Sequence, residues 1–265
     1  MKKMKLGIPT LLELGSVGKH VAFCKELGFD FFEMNFMFPW YQSDNIDLSE
    51  FAALEDEFGI GYTLHLPDDF NPFSFSPEMS KASFEIAGFA FDMAKKLKIT
   101  RITMHLPEGA YVSMNGVRHF LFEACTEAFM KQVNAFKQFC QKKLSNTGII
   151  LCIENTKGFR GYHKRAVESL IELDNIGFTL DVGHNFKAGG EDEPYMFSFK
   201  DKIKHFHIHD VTEKGNHYGL GSGILPIEKY LDLADCLGAS AVIEVKELSA
   251  LVSSADYLKE RKYVK

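Results

Sequence analysis

The chain has 265 residues, of which 46% are hydrophobic and 25% charged, and a formal net charge of −6. That size and balance fit one soluble domain, 1–265, with the length of an eight-fold α/β barrel and enough apolar residues for a large core. The acidic balance provides no overall positive field, which argues against non-specific nucleic-acid binding while leaving a local basic patch open.

In chain order, the N-terminus Met1-Lys2-Lys3-Met4-Lys5-Leu6-Gly7 is basic but lacks the apolar segment of an export signal. No apolar run approaches the ~18 residues of a membrane span, so a cytoplasmic protein is expected. Apolar runs predict strands at 5–10, 29–36, 60–66, 99–106, 148–155, 176–182, 203–209 and 239–246. Between them, helical period covers 17–27, 48–58, 81–97, 119–143, 162–173 and 226–237. The sixth helical unit is weak, because 187–201 is rich in glycine and acid around Gly189-Gly190-Glu191-Asp192-Glu193-Pro194 and predicts a loop with a short helix. Gly28, Gly59, Gly148, Gly177 and Gly238 fall near helix ends or just before strands, where a left-handed cap belongs. Strict alternation in eight units predicts a single-domain (β/α)8 TIM barrel, with a doubly wound sheet as the alternative. Cys24, Cys125, Cys140, Cys152 and Cys236 are dispersed and odd in number, with no CxxC pair, and predict reduced thiols.

The runs also share an ending. Six of them close on His65, His105, Glu154, Asp181, His207 and Glu244, and a parallel barrel gathers such C-terminal ends around one mouth. Thr63-Leu64-His65-Leu66-Pro67 and Thr103-Met104-His105-Leu106-Pro107 form a local repeat whose proline stops each strand just beyond its histidine. Alternate strand residues face the same side, which groups Cys152 with Glu154, Thr179 with Asp181, His205 with His207 and His209, and Glu244 with Lys246. Three uncompensated carboxylates in a dry pocket repel one another. A divalent cation removes that cost, and oxygen-rich ligation with imidazole suits Mn, Mg, Co or Zn. Singly, each residue has a plainer role: Glu154 or Glu244 as a solvated loop carboxylate, His65 or His105 as a hydrogen-bonded rim histidine, Asp181 as a turn former before Gly183. The joint pattern carries the metal reading.

Other segments bear on the ligand. The stretch from Thr156 to Arg165, including Arg160, is the strongly basic loop at the expected mouth and suits phosphate or a sugar acid, or else a solvated helix start. Gly219-Leu220-Gly221-Ser222-Gly223 can offer backbone N–H groups to an anion. Lys246 can hold a hydroxyl or phosphate or sit in a salt bridge, and a Schiff-base aldolase using it is a remote third class. Phe36, Phe38, Trp40 and Tyr41 make a sugar wall or core packing. Phe73-Ser74-Phe75 and Phe197-Ser198-Phe199 make a barrel cap or a homo-oligomer contact.

The motifs Cys152-Ile153-Glu154-Asn155, Leu180-Asp181-Val182-Gly183-His184, His205-Phe206-His207-Ile208-His209-Asp210, Gly219-Leu220-Gly221-Ser222-Gly223-Ile224 and Val242-Ile243-Glu244 give the whole chain a resemblance to a known group. It resembles the xylose isomerase-like barrel superfamily of sugar and sugar-phosphate isomerases and epimerases, which also contains the endonuclease IV group of apurinic endonucleases. The resemblance implies Glu154, Asp181, His207 and Glu244 as metal ligands, with Glu154 and Glu244 also catalytic, moving a proton through a metal-stabilised enediolate. It implies His184 as a substrate contact; His209, Lys246 and Arg160 join it as substrate-binding candidates. His65 and His105 match positions that hold an additional zinc in the endonucleases, and His217 another zinc ligand, although Gly215 stands where that ligand's usual aspartate partner would be. Ketose 3-epimerases usually carry an arginine six residues after the metal histidine; here it is Glu213. The expectation is a divalent-metal-dependent sugar or sugar-phosphate isomerase or epimerase, with a dehydratase inseparable from it by these residues. The alternative is a zinc-dependent apurinic endonuclease, and a non-catalytic sugar-binding barrel ranks last because both glutamates are present.

Overall fold

The computed structural model describes residues 4–264. Eight parallel strands close into a barrel: β1 (Leu6–Ile8), β2 (Phe31–Asn35), β3 (Gly61–His65), β4 (Arg101–His105), β5 (Ile150–Glu154), β6 (Ile176–Asp181), β7 (Ile203–Ile208) and β8 (Ser240–Ile243). Each pairs with its neighbours in sequence, and β8 closes on β1 through Leu6 opposite Ala241. All eight expected strands are present, each one to four residues shorter than its apolar run where the chain leaves the barrel. Burial on both faces produces those runs: the consecutive Leu151, Cys152 and Ile153 of β5 are all fully buried.

Helices fill the outer ring. Val17–Leu27 and Leu48–Phe58 have the expected bounds and end on left-handed Gly28 and Gly59. Gly177 does not cap a helix. It lies inside β6, where a Cβ would come within 2.7 Å of the Lys202 carbonyl oxygen, so the glycine is required by close strand packing. The expected helix at 119–143 divides into Leu121–Ala124 and Thr126–Leu144, and His119 belongs to a hairpin, Tyr111–Met114 with Val117–Phe120. A second hairpin, Asp210–Thr212 with Gly215–Tyr218, follows β7, and a final helix spans Leu248–Glu260. The weak sixth unit contains short helices at Val182–Lys187 and Asp192–Phe197. The Phe73 and Phe75 rings pack within the chain on Phe129, Phe136 and Phe122. No helix of the described residues is long and apolar enough to cross a membrane.

Register stacks the interior in layers. Glu33 lies opposite Thr63, Thr103 opposite Cys152, Thr179 opposite His205 and His205 opposite Ser240. One same-face step up, Asn35 lies opposite His65, His105 opposite Glu154 and Asp181 opposite His207. That upper layer is the mouth.

Candidate metal centre

Glu154, Asp181, His207 and Glu244 each offer a ligand atom, and these atoms all lie within 4.8 Å of one another. His207 Nδ1 is 3.3 Å from Glu154 Oε2 and 3.2 Å from Glu244 Oε2. Asp181 is the most firmly held. Its Oδ1 accepts from the His184 backbone N–H at 2.6 Å, at the start of the Val182–Lys187 helix, and from His209 Nε2 at 3.1 Å. Asn155 exchanges two hydrogen bonds with the Asp181 backbone. Both ring nitrogens of His207, His184 Nδ1 and Glu244 Oε2 are buried with no hydrogen bond of good geometry. Buried polar groups are rarely left so, and two of these atoms, His207 Nδ1 and Glu244 Oε2, come from different strands into the four-residue cluster and fit a cation with mixed oxygen and nitrogen ligation.

The electrostatics agree with this fit. Burial works to raise the Glu154 pKa, but the His207 and His105 imidazoles outweigh it and hold the carboxyl well below its usual range. For Glu244 burial is likewise outweighed, chiefly by the Lys246 ammonium and His207. Against its burial, His207 is driven well above the ordinary imidazole value by Glu154, Glu33 and Glu244. His184, opposed by burial but facing Asp181 and Glu154, rises to about 10. In the absence of a metal ion, protonated imidazoles supply the positive charge that the carboxylates require.

His65 Nε2 and His105 Nε2 each lie 3.2 Å from Glu154 Oε2, so the repeated motif places both imidazoles beside the cluster. His209 has a different place. Its Nδ1 accepts from the His217 backbone N–H at 2.9 Å while Nε2 meets Asp181, so both nitrogens are engaged and the ring braces a candidate ligand. Gly183 allows this, since a Cβ there would come within 1.9 Å of His209 Cε1.

A cavity of about 960 Å³ opens above the cluster and is lined by His184, His217, Glu244, Lys246, Lys157 and Lys187, among others. Lys246 Nζ donates to Glu244 Oε1 at 2.7 Å. Arg160 does not line the cavity; it pairs with Glu108 and stacks over the Phe120 ring at 4.1 Å, and Lys157 of the same loop takes the lining position. The glycine-rich loop already has its anion. Gly221 and Gly223 donate to Asp210 Oδ2 at 3.1 and 2.8 Å, and Leu225 donates to Oδ1 at 3.0 Å, so its N–H groups are turned inward. Phe38 reaches the cavity, whereas Phe36 and Tyr41 are core. Glu213 is exposed at the hairpin turn.

Residues 21–261 match the description "xylose isomerase-like TIM barrel". The chain belongs to this family. Among solved structures sharing the family's fold, a D-tagatose 3-epimerase-like protein superposes with a TM-score of 0.76 at 21% identity, covering 97% of this chain and 96% of that one. The 3-keto-D-glucoside 4-epimerase YcjR from E. coli superposes at 0.75 with 16% identity, covering 98% and 99%. The IOLI protein with a bound zinc atom superposes at 0.72 with 17% identity, covering 97% and 96%. Identities this low establish the fold alone.

Sequence reasoning missed one prominent residue of this family member. Glu33, in the middle of β2, is 3% exposed and reaches the cavity floor. Its signal was a lone carboxylate inside the apolar run Phe31-Phe32-Glu33-Met34.

Proposed function

We propose that the chain is a divalent-metal-dependent sugar or sugar-phosphate isomerase or epimerase, with Glu154, Asp181, His207 and Glu244 holding the cation. The observation that carries this reading is the convergence of these four groups, two of them with buried atoms lacking a hydrogen bond, beneath a cavity of sugar-accommodating size. The epimerase titles among structures of the same fold support the reaction class. The bound ion would supply polarisation of a substrate carbonyl and a neighbouring hydroxyl. The chain's own part is proton transfer. Glu244 faces the cavity, and Glu154 lies beside it across His207; as carboxylates held ionised, the two are suited to remove and return a proton on carbon. His184 lines the cavity as a protonated donor for a substrate oxygen, and Lys246, Lys157 and Lys187 present cations to hydroxyls or a phosphate.

The test is a panel of ketoses and their phosphates in D2O with added Mn, Mg, Co or Zn. The expected result is deuterium incorporation on carbon during turnover, abolished by chelator and by Glu244→Gln. Absence of both bound metal and exchange with every sugar would overturn the proposal.

One observation favours the endonuclease reading: His65 and His105 flank Glu154 and give a second ion a place. Against it, His209 is engaged on both nitrogens and residue 215 is glycine, which leaves a third ion short of ligands. Cleavage of abasic DNA by the zinc-loaded protein would reverse that ranking.

A further inference from the structure

Below the four proposed ligands lies a buried carboxylate that is not one of them. Burying Glu33 is costly unless its oxygens are compensated, and its two oxygens meet two layers of the barrel, Oε2 its own and Oε1 the mouth layer above. Thr63 Oγ1 donates to Glu33 Oε2 at 2.9 Å, and His205 Nε2 meets the same oxygen at 3.2 Å. An ionised carboxylate can only accept, so His205 Nε2 carries the proton and its Nδ1 accepts from Ser240 Oγ at 2.7 Å. These contacts fix Oε2, while Oε1 lies 3.0 Å from His207 Nε2.

The same logic extends to His207. The imidazole edge facing Glu33 has to be Nε2–H, so the proton given up when a cation binds is the one on Nδ1, the nitrogen facing Glu154 and Glu244, which then has a lone pair to offer. We infer that Glu33 is a positioning residue for the metal centre, selecting the Nε2–H form of His207 and making Nδ1 the better ligand. The Nε2–H vector is not aligned on Oε1 for a linear hydrogen bond, so the effect acts through charge and proximity. Thr63 and the Ser240–His205 pair keep the carboxylate aimed at the ring. Outer partners of metal-bound histidines act in this way, and losing one weakens metal affinity by about 10 to 100-fold.

This inference rests on the ligand set proposed above, and the experiment separates the two. The full chain is stripped with chelator and titrated with Co2+, reading the d–d absorption band and the heat of binding, for wild type, Glu33→Gln, Thr63→Val and Glu154→Gln. Melting of the stripped proteins reports folding. The expected result is one Co2+ per chain at this centre, an affinity about 10 to 100-fold lower in Glu33→Gln with an altered d–d band, a smaller loss in Thr63→Val, and unimpaired melting of the stripped variants. Wild-type affinity and spectrum in Glu33→Gln, alongside loss of Co2+ in Glu154→Gln, would overturn the role of Glu33 alone. Full Co2+ binding by Glu154→Gln would instead overturn the ligand set. A fall from two ions to one in Glu33→Gln would also overturn the inference, because Glu33 would then be a ligand of a separate ion with His205. If Glu33→Gln fails to fold, Thr63→Val decides: weakened Co2+ binding supports the inference and unchanged binding overturns it.

Discussion

His207 on β7 and His105 on β4 both turn a ring nitrogen toward Glu154 Oε2, at 3.3 and 3.2 Å, from either side of β5. Around β6 to β8, each group of the cluster has a second partner behind it: Asp181 has His209 and the His184 N–H, Glu244 has Lys246, and His207 has Glu33. Around β3 and β4 the support is thinner. His65 Nδ1 donates to its neighbour's carbonyl, Leu66 O, and His105, with its side chain 20% exposed, has its other nitrogen 3.8 Å from a half-exposed Asp68. Identical residue types at equivalent strand tips thus differ in how far they are pre-organised. The braced wall suits a resident cation; the open wall suits a group that must adjust to what enters.

Four experiments would break or sharpen that contrast. Glu244→Gln should have the largest effect, lowering turnover on an accepted sugar by about 10² to 10⁴-fold in steady-state kinetics, as loss of a general base does. His209→Leu removes only a brace, yet should weaken metal binding by about 10 to 100-fold in chelator competition. Third comes pH. The His184 pKa is raised from 6.5 to about 10, so its contribution to the stability of stripped protein is complete below pH 6.5 and is lost as pH climbs toward 10. Glu154 and Glu244 are lowered from 4.5, so theirs is present above pH 4.5 and lost as pH falls below it. Through these groups, thermal melting of stripped protein should fall below pH 4.5 and again as pH climbs toward 10, and added metal should flatten the alkaline fall. The smallest effect is expected for His105→Ala, which should retain the first ion by mass spectrometry; loss of that ion would erase the distinction between the walls.

The barrel was legible because parallel strands buried on both faces leave apolar runs that end abruptly. Two further elements, absent from the expected set, also leave marks in the sequence. Asn115-Gly116, with φ of 51° and 78°, is the dipeptide a two-residue hairpin turn favours, and it joins Tyr111–Met114 to Val117–Phe120. Leu251, Ser254, Ala255 and Leu258 mark the buried stripe of Leu248–Glu260 at helical spacing. The cluster was legible where a polar residue ends an apolar strand, as with Glu154 or His207, which the fold brings together. It was not legible where role depends on contacts distant in sequence. Arg160 looked like a ligand-binding cation until Phe120 and Glu108, brought near by the fold, engaged its guanidinium. Glu33 is explained only by Thr63, His205 and His207, which three-dimensional closure alone assembles.

The missing side chain at position 183 also restricts the history open to this sequence. With His209 resting where a Cβ would have to be, glycine alone fits at position 183 while the ring keeps this place. A drift to alanine there, the mildest change in the genetic code's reach, would be felt first as a slackened grip on Asp181, long before the barrel itself suffered.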